Sequence, residues 1–266
     1  MARRSRLSSA TAESSLSRDN PLSLHEQIRR SILTDIWKGL YRPGDLLPSE
    51  KELSLQFGVN RLTVRQAVHA LANQGHVRAL QGRGYQVRSA TLGADILTVI
   101  SLSHYLDEHG LEAKTKVLGT ELVPAQPEVA DALAIQRGAE VIKIVRQRFA
   151  VDVLIAVDEA YYDAQKFGDL LNVDLDHHSL VDTLFKVFDL RVGRVSTTLH
   201  ADVAGDRAEL LDVSPSSPLL VASTLMFDLE EQPVELGLSF YHGERIKLTF
   251  TSPVDPASWP YGAQPG

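Results

Sequence analysis

Apolar residues at Val64, Ala67, Val68 and Leu71 stand at i, i+3, i+4 and i+7 and predict a helix with one buried stripe. Arg61 and Arg65 lie one turn apart on a different face, with Thr63 nearby. Asn60 is a good N-cap for this helix, and Gly58 suits the end of an earlier one. That earlier helix begins at Ser49-Glu50-Lys51-Glu52, which fits a capping box, and turns Leu53 and Phe57 inward. About three residues around Gly58 join the two, the short glycine-containing turn of a helix-turn-helix. Downstream, Val77-Arg78-Ala79-Leu80 and Tyr85-Gln86-Val87-Arg88 read as short strands around Gln81-Gly82-Arg83-Gly84. A strand pair closed by a Gly-X-Gly turn with a basic residue makes a wing. Upstream, Leu24, Ile28, Ile32 and Ile36 predict a first helix ending before Gly39, and Tyr41-Arg42-Pro43-Gly44-Asp45 is a turn.

The second half of the chain shows a doubled pattern. Pro127-Glu128-Val129-Ala130-Asp131-Ala132-Leu133 is a short helix with proline at its start, followed by a turn at Gly138 and strands at 140–150 and 153–162. Asp206-Arg207-Ala208-Glu209-Leu210-Leu211 is another short helix, followed by a turn at Pro215 and strands at 218–228 and 233–250. Ser179 through Phe188 reads as an intervening helix. Helix then hairpin, twice, predicts an α+β domain built on a shared antiparallel sheet.

Charge divides the chain in the same place. The formal net charge is −7, yet residues 1–90 carry 14 Lys+Arg against 7 Asp+Glu, and residues 91–266 carry 13 against 27. A head of +7 can sit on phosphate, whereas a body of −14 is repelled from it. A length of 266 residues suits two domains, each with its own core. Absence of cysteine removes disulfides and thiolate metal sites and fits a cytoplasmic protein. Residues 1–18 are rich in Ser and Arg without periodicity and are expected to be a disordered arm; they lack the apolar core of a signal peptide. No apolar run approaches the roughly 20 residues of a membrane span. Residues 90–97 are expected to link the winged head (19–89) to the second domain (98–250), and 251–266, with four prolines, to form a tail.

Strand parity points to a site in the second domain. Alternate residues share a face, so Ile142, Ile144, Arg146 and Arg148 line one side while Val141, Val145 and Phe149 line the other. Glu235, Gly237, Ser239 and Tyr241 likewise share a face, and Asp158 sits in the first hairpin much as Glu235 does in the second. Two guanidiniums on an otherwise apolar face require partners. Either Arg146 pairs with Asp158 and Arg148 with Glu235 across the sheet, or the cluster takes an anionic ligand.

Family resemblance sharpens both readings. Pro43-Gly44-Asp45, Leu47-Pro48-Ser49-Glu50, Phe57-Gly58-Val59-Asn60-Arg61-Leu62-Thr63-Val64-Arg65, Gly75 and Gln81-Gly82-Arg83-Gly84, in that order, resemble the winged-helix head of GntR-family transcription regulators. Lys51 stands where the family usually has Arg, and Asn60 where it usually has Ser. Lysine keeps the charge but loses the bidentate fork, which assigns Lys51 a phosphate rather than a base contact. The second domain, through Arg146-Gln147-Arg148, Pro233-Val234-Glu235 and the stretch from Tyr241 to Arg245, resembles the effector domain of the HutC-type branch, the UTRA domain, whose fold is like chorismate lyase. That resemblance implies an effector held by Arg146, Arg148, Asp158, Ser179, Glu235 and Tyr241, with Ser101 before the domain's first helix. Asp158 is one methylene shorter than the usual Glu, and Val181 replaces a Tyr of sugar-binding members.

The resulting expectation is a cytoplasmic, homodimeric, ligand-responsive transcription repressor without cofactor, metal or catalytic residues. Arg61 and Arg65 read base edges, Thr63 meets base or phosphate, and Gly82, Arg83 and Gly84 approach the minor groove of a palindromic operator. The effector is a small anionic metabolite. Two rivals remain at this stage, an enzyme of chorismate-lyase type with an appended DNA head and an architectural DNA-binding protein without effector. No Gly-X-Ser-X-Gly, His-Glu-X-X-His or phosphate-binding glycine loop is present. His177-His178 beside Asp174-Leu175-Asp176 reads as a solvated turn before a metal site, and His69 and His76 as helix-flank residues.

Overall fold

The computed structural model describes residues 16–17, 19–88, 92–94, 102–176 and 179–248. The expectations for Ser101, His177-His178, the tail, nearly all of the arm and most of the linker fall outside these residues.

The head contains α1 (Leu24–Trp37), α2 (Glu50–Phe57) and α3 (Arg61–Asn73), then the antiparallel pair β1 (Val77–Leu80) and β2 (Gly84–Val87). Both predicted caps form. The Ser49 Oγ accepts from the Glu52 amide at 3.2 Å while Glu52 Oε2 accepts from the Ser49 amide at 2.8 Å. Gly58 takes the left-handed conformation that ends α2, φ 64°. Asn60 Oδ1 then accepts from the Thr63 amide at 2.8 Å and starts α3. The stripe Val64, Ala67, Val68 and Leu71 is buried against Ile28, Ile32, Ile36 and Leu53. Burial of each large side chain here contributes on the order of 1.5–3 kcal/mol, which holds α2 and α3 in fixed register.

The body comprises β3 (Leu92–Ala94), α4 (Leu102–Glu108), β4 (Ala113–Pro124), α5 (Pro127–Leu133), β5 (Glu140–Ala150), β6 (Val153–Asp163), α6 (Ala164–Phe167), α7 (Leu180–Phe188), β7 (Val192–Val203), α8 (Ala208–Leu211), β8 (Pro218–Asp228), β9 (Pro233–His242) and β10 (Ile246–Leu248). Six strands form one antiparallel sheet in the order β4-β5-β6-β9-β8-β7. The doubled sequence pattern is a doubled structure, because β4-α5-β5-β6 and β7-α8-β8-β9 repeat one unit and meet at β6 and β9.

Three sequence expectations are corrected. The strand expected over 233–250 is broken: β9 stops at His242, a turn follows, and β10 pairs in parallel with β3 instead. Gly243 marks the break, since a Cβ there would lie 2.6 Å from the Pro218 carbonyl oxygen. The helix expected at 206–211 is a 3-10 turn over Gly205–Arg207 followed by α8. Residues 92–94, expected to be linker, are the strand β3.

Head and body share one buried cluster, in which α1 and α3 side chains join Tyr105, Leu106, Leu111, Val151 and Ile155. Arg29 of α1 is buried at this junction, 3% exposed, and satisfied from several directions. Its guanidinium chelates Glu26 at 2.8 and 2.6 Å, donates to Gln74 Oε1 at 3.0 Å, and donates to the His109 carbonyl of the body at 3.0 Å. The Arg29 hydrogen bond is the main reason the Glu26 carboxyl is held below the usual range. One buried arginine therefore ties the first helix, the C-terminal cap of α3 and the body together.

Candidate functional site

On the head, Lys51, Arg61 and Arg65 are exposed on α2 and α3. Arg65 is engaged: its Nε lies 3.0 and 3.2 Å from the two Glu50 carboxylate oxygens, and its Nη2 donates to Oε2 at 2.8 Å. Glu50 stands in both the capping box and the Leu47-Pro48-Ser49-Glu50 motif, and neither signals its pairing with Arg65. The planar fork of Arg65 is thus held in one orientation on the outer surface. Thr63 joins the helix cap, its hydroxyl donating to Asn60 Oδ1 at 3.0 Å. The wing turn needs its glycines, with φ +70° at Gly82 and +93° at Gly84, and Arg83 between them is exposed. A tight, side-chain-poor tip with one cation can enter a narrow groove.

In the body, one cavity of about 110 Å³ is lined by Arg146, Arg148, Asp158, Ser179, Glu235 and Tyr241 together with Gly237 and Ser239. By the same measure one water takes roughly 10–15 Å³, so the space holds a ligand of several heavy atoms. Strand parity is the cause. Arg146 faces Asp158 across β5 and β6, Asp158 faces Ser239 across β6 and β9, and alternate residues then project to the same side. Gly237 keeps the cavity open, since a Cβ there would sit 3.0 Å from Glu235 Oε1. Ser179 and Val181, at the start of α7, supply the lid side. Ser101 lies outside the described residues.

The internal ion pairs differ from those expected. Arg148 Nη1 donates to Asp158 Oδ2 at 2.8 Å, whereas Arg146 Nη2 approaches the same oxygen only to 3.6 Å. Glu235 does not pair with Arg148; its Oε2 accepts from the buried Tyr162 hydroxyl. Tyr162 was detectable, because it follows Asp158 and Ala160 on the same face of β6. The second Arg148 nitrogen donates to Ser103 Oγ of α4 at 2.7 Å, a contact that parity could not show.

Burial dominates the electrostatics. Desolvation, then the neighbouring Arg148 charge, lowers the Arg146 pKa. Desolvation also raises Glu235 above the usual carboxylate range, against the opposing Tyr162 hydrogen bond, and pushes Tyr241 up to about 12. Among the described residues Arg146 Nε and Asp158 Oδ1 are buried without a hydrogen-bond partner. Glu159 on the opposite face is the contrast: its two oxygens accept from Tyr161 at 2.9 Å and Arg207 at 3.2 Å, with Lys143 at 3.6 Å. That cluster is satisfied within the fold, whereas the cavity cluster retains an unused donor and an unused acceptor.

Two family models match successive parts of the chain. Residues 24–87 match the family of bacterial regulatory proteins, gntR family, and residues 108–247 match the UTRA domain. An uncharacterized HTH-type transcriptional regulator of Rhizobium meliloti, RB1450, is 31% identical over 85% of this chain and 94% of its own. The HTH-type transcriptional repressor NagR of Bacillus subtilis is 26% identical over 91% of this chain and 99% of its own. The crystal structure of PhnF from Mycobacterium smegmatis superposes with a TM-score of 0.63 over 85% of this chain and 99% of that one; at 24% identity it shows the fold alone. The chain belongs to the GntR family, in the HutC-type branch that joins a winged helix-turn-helix to a UTRA domain, and is a transcription regulator that binds DNA.

Proposed function

We propose that this regulator is a cytoplasmic, homodimeric repressor released from a palindromic operator by a small anionic metabolite bound in the body cavity. The carrying observation is the buried Arg146 Nε without a partner, next to a second guanidinium whose charge it feels. A desolvated donor of this kind is satisfied by a carboxylate or phosphate oxygen. Ser179 and Tyr241 offer hydroxyls, and the unused Asp158 Oδ1 accepts from a ligand hydroxyl or amine. On the head, Lys51 takes a phosphate, Arg61 and Arg65 take base edges, Thr63 meets base or phosphate, and Gly82-Arg83-Gly84 lies at the minor groove. The repressor sense is supported by the naming of NagR as one.

A physical route joins cavity and head. Arg148 holds Ser103 on α4, the Tyr105 and His109 rings stack at 4.1 Å, and the His109 carbonyl accepts from Arg29. A ligand that claims Arg148 competes with Ser103 for it and favours another position of α4. Since Arg29 also holds Gln74, the residue capping α3, that change bears on the reading helix.

Thermal melting of the full chain against carboxylates, phosphates and neutral compounds of matched size tests this reading. An anion at a hundred times its Kd is expected to add about 2.7 kcal/mol to the stability of the body. Stabilisation by neutral compounds alone would contradict it.

A further inference from the structure

The outer line of α3 contains a residue that neither the cap nor the core explains. At 3.6 residues per turn, Leu62, Gln66 and His69 lie within about 30° of the line opposite the centre of the buried stripe. All three are exposed, and Leu62 is 63% exposed. Arg65 stands about 60° round the helix from Leu62, and Arg61 about 100°, on the same flank. An isolated exposed leucine carries little meaning by itself. The position carries it: Leu62 is the second residue of α3, at the end of a recognition helix that meets base edges. It is the residue of the first turn that lies on this outermost line, and it can neither donate nor accept a hydrogen bond.

We infer that Leu62 is a further base-reading residue, and that it recognises the 5-methyl group of a thymine in each operator half-site. The inference rests on the DNA-binding reading of the head and adds to it a base that the arginines do not read. Major-groove edges present donors, acceptors and a single apolar group, the thymine methyl. Arg65, held by Glu50, supplies a fixed donor fork beside Leu62. Gln66, four residues after Leu62, has the donor and acceptor that fit adenine. Packing Leu62 against a hydrogen-bonding edge would strand that edge, whereas packing it on a methyl removes apolar surface from water on both partners.

The test uses the full-length chain. Sequences are first enriched from a random duplex pool, and each thymine of the enriched site is then replaced singly by deoxyuridine, which keeps the pairing and the O4 acceptor and removes the methyl. At one thymine per half-site the unmodified chain is expected to lose about fourfold in affinity, the worth of one methyl-sized group. Leu62→Ala should bind the thymine site about fourfold more weakly per half-site and no longer distinguish thymine from deoxyuridine there. Leu62→Met, which preserves an apolar contact, should keep the discrimination. Leu62 is outside the core and alanine favours helix, so both variants should melt with the original chain. An enriched site at which no thymine methyl matters, or at which Leu62→Ala keeps the same sensitivity, overturns this inference alone. Failure to enrich any sequence overturns the DNA-reading assignment and this inference with it.

Discussion

Replacing Arg146 by alanine is expected to abolish the response to the anionic effector while operator affinity in its absence stays near the original value. The fold should tolerate the change, because Asp158 keeps its 2.8 Å bond to Arg148 and Arg146 holds Asp158 only at 3.6 Å. The ligand does not tolerate it. Removing one member of a buried charge pair costs about 2–5 kcal/mol, so effector affinity should fall on the order of a hundredfold. Calorimetric titration of the anion identified by melting, against both proteins, measures this. A neutral molecule as the tightest ligand, bound equally by the variant, would remove the anionic reading.

The second large effect is expected at Arg65. Arg65→Ala should cost about 1–3 kcal/mol of specific binding and relax discrimination at one base position. Loss of the fork also leaves Glu50, whose carboxyl Arg65 holds below the usual range, as an uncompensated charge beside α3. Lys51→Ala should instead weaken all sequences alike and reduce the salt dependence, since a phosphate contact carries no sequence information. Affinities for the enriched operator and for scrambled DNA separate the two. Equal loss on both DNAs in Arg65→Ala would deny it a base.

The head was legible because its signals are local. Ser49 and Glu52, Gly58, and Asn60 with Thr63 each act within a few residues, and the Val64–Leu71 stripe has the helical period. The cavity was legible through parity, which placed Arg146, Arg148, Glu235 and Tyr241 on shared faces before any pairing was known. Partner identity was not. Glu50 and Arg65, Arg148 and Ser103, and Arg29 and His109 meet across 15, 45 and 80 residues, where only packing decides. Both edge strands, β4 and β7, escaped notice because one side meets solvent, so Lys, Thr and Glu in β4 and Arg, Ser, Thr and His in β7 interrupt their apolar positions. The continuation of β9 failed at Gly243, where the Pro218 backbone approaches too closely for a side chain.

On the proposed reading, the acidic body controls the basic head through ligand binding. Effector and operator must then weaken each other by the same factor, with a coupling of about 1–3 kcal/mol. A dimer whose heads are held at a different spacing cannot use both half-sites of one operator, and loss of one half-site's contacts supplies that magnitude. The direct measurement is the affinity of the full chain for the identified anion, titrated with and without saturating operator. Anion binding is expected to be weaker when operator is present, by about 5–150-fold. Equal affinity in the two titrations would contradict control of the head by the body, and tighter affinity with operator present would make the anion a co-repressor or the protein an activator.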